Sequence, residues 1–334
     1  MTGVSVTAAF ATIAIRSRFD YLPVSLFGSV MGLTGLSVAW QIVHARYGVP
    51  DWVATGVAVA AISAFILLTL GYATKLVSAP AAVLSEFRHP VAGNLFGTIL
   101  ISLLLLPIIL VPVDLRLAQA VWAIGAVGMV VFAWLVVSRW LSVRQQVAHA
   151  TPAWIVPMVG LLNVPLALPT LGLPPMHGVM VLGLAAGLFF AVRLFTLVFS
   201  RLVFEPPMLD ALQPTLIILV APFAVGFSSY VATTGHVDLF AESLYVLTLF
   251  MLVALVGRLR HLPTCCPFRV SWWAVSFPLA ASATAALRFA AGRPGMLTDA
   301  IALALLALAT VTMVGMLVRT LVGVARGELR TLGT

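Results

Sequence analysis

The stretch SWWAVSFPLAASATAALRF, residues 271–289, places a proline at position 278 and a phenylalanine directly before it inside an apolar run. Proline has no backbone N–H and its ring opposes the carbonyl group four residues earlier, so we expect this helix to kink or open near Ala274. At about 100° per residue, one stripe of the helix carries four side chains: Phe277, Ala281, Thr284 and Arg288. The stripe combines one bulky ring, small residues and a terminal arginine.

The composition is that of an integral membrane protein. Of the 334 residues, 62% are hydrophobic and 8% are charged, whereas soluble domains carry about 25% charged residues. The apolar runs last about 20 residues, as membrane-crossing helices require, and they do not alternate as membrane strands do. We therefore predict an all-α fold. Because the arginines separate apolar runs, the net charge of +8 gives no reason to expect nucleic acid as a partner.

Ten apolar segments are predicted to cross the lipid bilayer. They form one transmembrane domain, residues 23–323, between short tails at 1–22 and 324–334. Their approximate bounds are 23–46, 52–74, 92–112, 115–140, 152–169, 176–200, 214–233, 239–260, 271–290 and 298–323. An even number of crossings puts both termini on one side, which carries 14 of the 18 lysines and arginines. The positive-inside rule therefore predicts that both tails are cytoplasmic.

Prolines inside the segments fall only on odd-numbered ones. Segments 3, 5, 7 and 9 contain Pro107, Pro157 with Pro165, Pro222 and Pro278, whereas the even segments contain none. A broken helix is tolerated in lipid only where neighbouring helices, polar side chains or water satisfy the freed backbone groups. We therefore predict five helical hairpins, with an inner ring of proline-kinked odd helices around a central pore and an outer ring of even helices facing lipid. These prolines are expected to line the pore.

Small residues accompany the breaks, and two explanations are open for them. Gly28, Gly32 and Gly35 share one face of segment 1, and such a face permits either close helix packing or a hollow. Phe277 has a similar ambiguity, because an aromatic ring in an apolar segment commonly packs against neighbours or faces lipid.

Carboxylates are absent from the middle of every predicted segment. The ten acidic residues lie in loops or in first turns: Asp20, Asp51, Glu86, Asp114, Glu205, Asp210, Asp238, Glu242, Asp299 and Glu328. Proton-coupled carriers, cation pathways and acid–base enzymes all use a positioned carboxylate or histidine. The pattern disfavours these classes and indicates a neutral pathway that admits anions. Arg288 is the candidate for anion attraction at its mouth; its alternative role is to snorkel to lipid headgroups.

No metal or cofactor is expected. The six histidines show neither HxxxH nor HExxH spacing. The two cysteines, Cys265 and Cys266, are adjacent in a loop assigned to the reducing side of the membrane, so we expect two free thiols.

Three stretches resemble the tellurite-resistance and dicarboxylate transporter family, which includes TehA-type bacterial channels and plant slow anion channels. They are HPVAGNLFGTILISLLLL from His89, EPPMLDALQPTLIILVAPFAVGFSSYV from Glu205 and WWAVSFPLAASATAAL from Trp272. The resemblance implies five hairpins around a pore, a plug formed by a phenylalanine of the ninth helix, here Phe277, and a homotrimer with one pore in each protomer. It does not name the ion, because the family also contains malate and sulfite carriers.

Three hypotheses follow. The first is a passive anion channel of the inner (plasma) membrane, gated by Phe277, that passes small anions such as chloride or nitrate. The second is a secondary carrier that exports a C4-dicarboxylate such as malate, sulfite or a tellurium oxyanion. The third is a membrane scaffold or enzyme without transport, which an absence of anion permeability in liposomes would support.

Overall fold

A computed structural model describes residues 21–259 and 268–328. The residues of the two tails at 1–20 and 329–334 and the pair Cys265 and Cys266 lie outside the described residues. All regular secondary structure in the described residues is helical, and ten of these helical segments are long and apolar enough to cross a membrane. We call them spans 1 to 10 in chain order.

The even spans are uninterrupted α-helices. They are Trp52–Ser78, Leu115–Ser142, His177–Phe204, Leu239–Leu259 and Met296–Ala325. None of them contains an internal proline, so each backbone ladder of hydrogen bonds continues from end to end. A further short helix, Pro80–Arg88, links spans 2 and 3.

Each odd span begins as a 3₁₀-helix and continues as an α-helix. The odd spans are Val24–Tyr47, Ala92–Leu110, Pro152–Thr170, Asp210–Thr234 and Val270–Gly292. In spans 7 and 9 the α-helical part begins at Ala221 and Ser276, one and two residues before Pro222 and Pro278. Proline fits the first turn of an α-helix because an N–H there has no partner within the helix. The prolines therefore mark the positions where the helix type changes.

Span 5 changes type repeatedly, whereas span 3 departs from the expected pattern. In span 5, short α-helical turns begin one residue before Pro157 and Pro165 and alternate with 3₁₀ turns. In span 3, Pro107 lies inside the continuous α-helix Gly97–Leu110, and the change of helix type comes ten residues earlier. The predicted breaks are thus present at the prolines of spans 5, 7 and 9, but Pro107 does not cause the break in span 3.

Burial separates the two sets of spans. In the most apolar part of each odd span, 61% to 83% of residues are buried, against 17% to 39% in the even spans. The odd spans contact one another in the order 1, 3, 5, 7, 9 and back to 1. Each even span packs against two successive odd spans. The irregular helices therefore lie inside the protein, where neighbours satisfy their backbone groups, and the regular helices lie outside.

Glycines allow spans 1 and 9 to pack closely. A Cβ atom on Gly32 would overlap Ser276 Oγ, and one on Gly35 would lie 2.9 Å from Ala280 Cβ. Ser276 Oγ also donates a hydrogen bond of 3.1 Å to the carbonyl oxygen of Gly28. Of the two explanations for the small face of span 1, close packing therefore applies at Gly32.

A buried ion pair fixes the start of span 1. The carboxylate of Glu86 accepts hydrogen bonds from Val24 N at 2.7 Å, Lys75 Nζ at 2.7 Å and Tyr72 Oη at 2.9 Å. Lys75 Nζ also donates to the carbonyl oxygen of Leu22 at 2.7 Å. The carboxylate satisfies a backbone donor at the helix start that has no partner within the helix. It thereby ties span 1 to the connection between spans 2 and 3.

Candidate functional site

A wide cavity of about 730 Å³ lies at the end of the protein where the odd spans begin. All five odd spans line it, for example through Met31, Ile101, Val159, Ile218 and Phe277. Most of its wall is apolar. Polar and charged side chains in the wall include His89, His149, Arg201, Glu205 and Arg269.

A narrow cavity of about 30 Å³ continues on the other side of Phe277. Its volume holds roughly two water molecules. All its lining residues belong to the odd spans, and each odd span contributes: Gly35, Val38, Leu105, Ile108, Leu166, Val225, Ser228, Phe277, Ala281, Thr284 and Arg288. The odd spans therefore surround a lumen that is wide at one end and tight in the middle.

Phe277 lines both cavities. Its side chain is 7% exposed, and its Cδ2 atom lies 4.0 Å from the point where a Cβ atom of Gly35 would stand. The ring therefore lies directly against a glycine of span 1. Loss of the ring would leave only small side chains on this part of the stripe, because Ala281 follows one turn later.

The stripe expected from the sequence faces the lumen. Phe277, Ala281, Thr284 and Arg288 all line the narrow cavity, while Trp273 and Ala274, which flank the stripe, line the wide one. The hydroxyl group of Thr284 is buried and has no hydrogen-bond partner among the described residues. One face of span 9 therefore runs along both cavities.

Arg288 stands at the far end of the narrow cavity from Phe277. Arg288 comes eleven positions after Phe277 in the same α-helix, which is roughly 16 Å along the axis. Arg288 is partly buried, and within residues 21–259 and 268–328 its side chain forms no ion pair or hydrogen bond. None of the residues lining the narrow cavity is acidic. Its positive charge is therefore uncompensated at close range.

The five candidate prolines are placed differently from one another. Pro278 lines the wide cavity, whereas Pro107, Pro157, Pro165 and Pro222 line neither cavity. Their immediate neighbours do so instead: Ile108, Val156, Leu166 and Ala221. In spans 5 and 7 the prolines thus set the helix type, and the adjacent residues present side chains to the lumen.

Sequence reasoning missed three polar residues of the wide cavity. Thr151, Arg201 and Ser271 line it and have buried polar atoms without partners among the described residues. Arg201 is one of the 14 basic residues that the sequence places on the side of the termini. An arginine at the end of a peripheral helix has the same local sequence whether it faces headgroups or a cavity, so only the packing of span 6 identifies its position.

These features define a multi-pass membrane protein of transport type, and comparison with known proteins gives its family. Residues 21–321 match the family model named SLAC1, described as voltage-dependent anion channel. The chain belongs to this family of membrane anion channels and transporters, and the resemblance found in the sequence is thereby confirmed.

Individual relatives come from three groups of organisms. A tellurite resistance protein TehA homolog of Haemophilus influenzae is 28% identical over 282 residues, covering 80% of this chain and 81% of the relative. An uncharacterised transporter of Methanocaldococcus jannaschii is 27% identical over 238 residues, covering 64% and 69%. The S-type anion channel SLAH3 of Arabidopsis thaliana is 24% identical over 308 residues, covering 90% of this chain and 48% of the plant protein. This chain thus spans about half the length of that plant channel.

Proposed function

We propose that the protein is a passive channel for small anions, with a neutral pore enclosed by the five odd spans and gated by Phe277. The observation that carries this proposal is the position of Phe277 between two cavities that are each lined by all five odd spans. A ring at this point separates the cavities and closes the pore. Membership of an anion channel family supports the same assignment.

Selection of anions over cations in this channel comes from charged residues at the ends of the pore and not from a ring of coordinating groups inside it. A neutral lumen selects by width and by the cost of removing water from the ion. Arg288 adds a positive charge that raises the local concentration of anions at the end of the narrow cavity. Chloride and nitrate are the ions that we expect to pass most readily.

A proton-coupled carrier for malate, sulfite or tellurite is the second candidate. The names of two relatives, a transporter and a tellurite resistance protein, favour it. Against it stands the distribution of carboxylates in the described residues: Asp210, Glu242 and Asp299 are the acidic residues within the spans, and each lies in a first turn. Coupling to protons generally requires an ionisable group deeper in the membrane, so the channel is the better supported function.

Orientation and assembly follow from charge. The protein is placed in the inner (plasma) membrane, and the excess of basic residues on the side of the termini supports cytoplasmic tails and a cytoplasmic wide cavity. A homotrimer agrees with Arg193, which is exposed near the middle of span 6 and lies 5.6 Å from the ring of Phe189. A charge is costly to expose to lipid at this depth, and a neighbouring copy of the chain would cover it.

Replacement of Phe277 by alanine is expected to raise the anion current. If the ring closes the pore, its removal lowers the barrier by at least 1.4 kcal/mol, which is about a tenfold increase in current. Currents in planar bilayers or oocytes measure this change. Phe289→Ala is the matched control, because Phe289 lies in the same helix, is similarly buried and stacks on Tyr245 away from both cavities. An unchanged current through a correctly folded F277A protein refutes the gate.

Replacement of Arg288 by glutamine is expected to lower the ratio of anion to cation permeability about threefold in the open F277A background. The effect should grow as the salt concentration falls, because screening weakens long-range attraction. Reversal potentials under a salt gradient report the ratio. Arg293→Gln is the control, since Arg293 is exposed and lines neither cavity. An equal ratio in R288Q and its parent assigns Arg288 to lipid headgroups instead.

The oligomeric state is expected to be three copies in detergent or nanodiscs. Light scattering with correction for bound detergent gives the mass of the protein part, and Arg193→Ala should shift it toward the 35.4 kDa monomer. A monomeric wild-type protein over the concentrations tested contradicts the trimer.

A further inference from the structure

Arg201 is a buried charge that faces the wide cavity without a protein partner. It lies in the last turn of span 6, is 8% exposed and lines the cavity. Its Nε and Nη1 atoms are enclosed and have no acceptor, and none of its nitrogens donates to a described residue. The guanidinium group therefore keeps its hydrogen-bonding capacity unused inside the protein.

A guanidinium group cannot avoid this situation by losing its proton, because arginine stays charged in proteins. Burial of a charge without a partner is strongly unfavourable, and it is relieved when an ion of opposite charge binds. None of the described ion pairs involves Arg201. Glu205, the extended residue directly after the end of span 6, also lines the cavity but is exposed and forms no ion pair with Arg201.

Two further donors face the same cavity. Thr151 is 3% exposed, and its Oγ1 atom is buried without a partner; the Oγ atom of Ser271 is in the same condition. Arg201 belongs to span 6, Ser271 belongs to span 9, and Thr151 directly precedes span 5. The 3₁₀ turn after Thr151 contacts both span 6 and the start of span 7, which in turn contacts the start of span 9. One guanidinium and two hydroxyl groups thus line one cavity, and no described residue supplies an acceptor for the guanidinium Nε and Nη1 atoms or a partner for either hydroxyl group.

The other charged and titratable groups in the wall leave the space favourable to anions. Arg269 adds a second positive charge, against the single carboxylate of Glu205. His89 Nδ1 accepts from the backbone N–H groups of Val91 and Ala92. Neutral His89 therefore carries its proton on Nε2 and has a donor to offer. His149 completes the titratable groups of the wall.

We propose that Arg201, Thr151 and Ser271 form a binding site for a small anion, a halide or a small oxyanion, at the wide end of the pore. The site rests on the proposed channel function, because its ligand is the ion that the channel carries. The cavity runs without interruption from Arg201 to Phe277. An anion held at Arg201 therefore lies in the cavity that leads to the gate, and the site raises the local anion concentration before each passage.

The test is chloride binding to the full-length protein in detergent. The broadening of the ³⁵Cl NMR line measures this binding. Broadening should saturate with chloride and be reversed by added nitrate. Arg201→Gln should weaken this binding about tenfold, as expected for loss of a charged hydrogen-bond donor. Arg144→Gln is the matched control, because Arg144 is exposed on the same side and does not line the cavity; it should bind as wild type does.

Thr151→Val and Ser271→Ala keep the proposal falsifiable if R201Q does not fold. Each should weaken binding about threefold, as for loss of one neutral donor. A chloride titration of R201Q that overlays that of wild type overturns the site, as does an equal loss in R144Q or unchanged binding in both hydroxyl variants. The binding measurement needs no membrane. If chloride binding depends on Arg201 but the protein carries no anion flux, the channel is refuted and the site is retained. If the protein carries anion flux but R201Q binds chloride as wild type does, the site is refuted and the channel is retained.

Discussion

The structure depends on the requirement that every backbone polar group within the bilayer has a hydrogen-bond partner. Regular α-helices meet this requirement alone, so the five even spans can face lipid. The odd spans begin as 3₁₀-helices, and three of them change type at prolines, so they need protein around them. Their contacts in a closed cycle, with an even span over each junction, supply that protein. The irregular start shared by all five odd spans, which prolines set in spans 5, 7 and 9, therefore goes with their place inside the protein and so with the residues that reach the lumen.

Small residues and one ring then shape the lumen. Gly32 lets spans 1 and 9 pack in direct contact, and Gly35 leaves space against which the ring of Phe277 lies. A larger residue at Gly35 would collide with span 9, so the glycine and the phenylalanine act as a pair. Arg201 and Arg288 line opposite ends of the lumen, and the residues of the narrow cavity between them include no carboxylate. This distribution of charge agrees with the anion channels and transporters of the family.

Much of this arrangement could be predicted from the sequence, because hydropathy and proline placement report directly on the bilayer. The ten segments, the contrast between odd and even spans and the stripe from Phe277 to Arg288 all follow from local patterns. The features that the sequence did not predict depend mainly on packing between distant segments. Pro107 sits inside an α-helix, the helix Pro80–Arg88 lies between two predicted segments where no element was expected, and the pairing of Lys75 with Glu86 joins elements that no periodicity connects. Arg201 was missed because the side of a helix that faces a cavity is set by its neighbours.

The most direct measurement of the central claim is ion flux in liposomes that contain the purified protein, with chloride, nitrate, sulfite, malate and tellurite tested in parallel and internal pH recorded by a trapped dye. A gated neutral pore predicts passive movement of chloride or nitrate down its gradient, without protons moving in fixed proportion and with faster flux after removal of the Phe277 ring. Saturable flux of malate, sulfite or tellurite with a fixed number of protons would contradict the pore and establish a carrier.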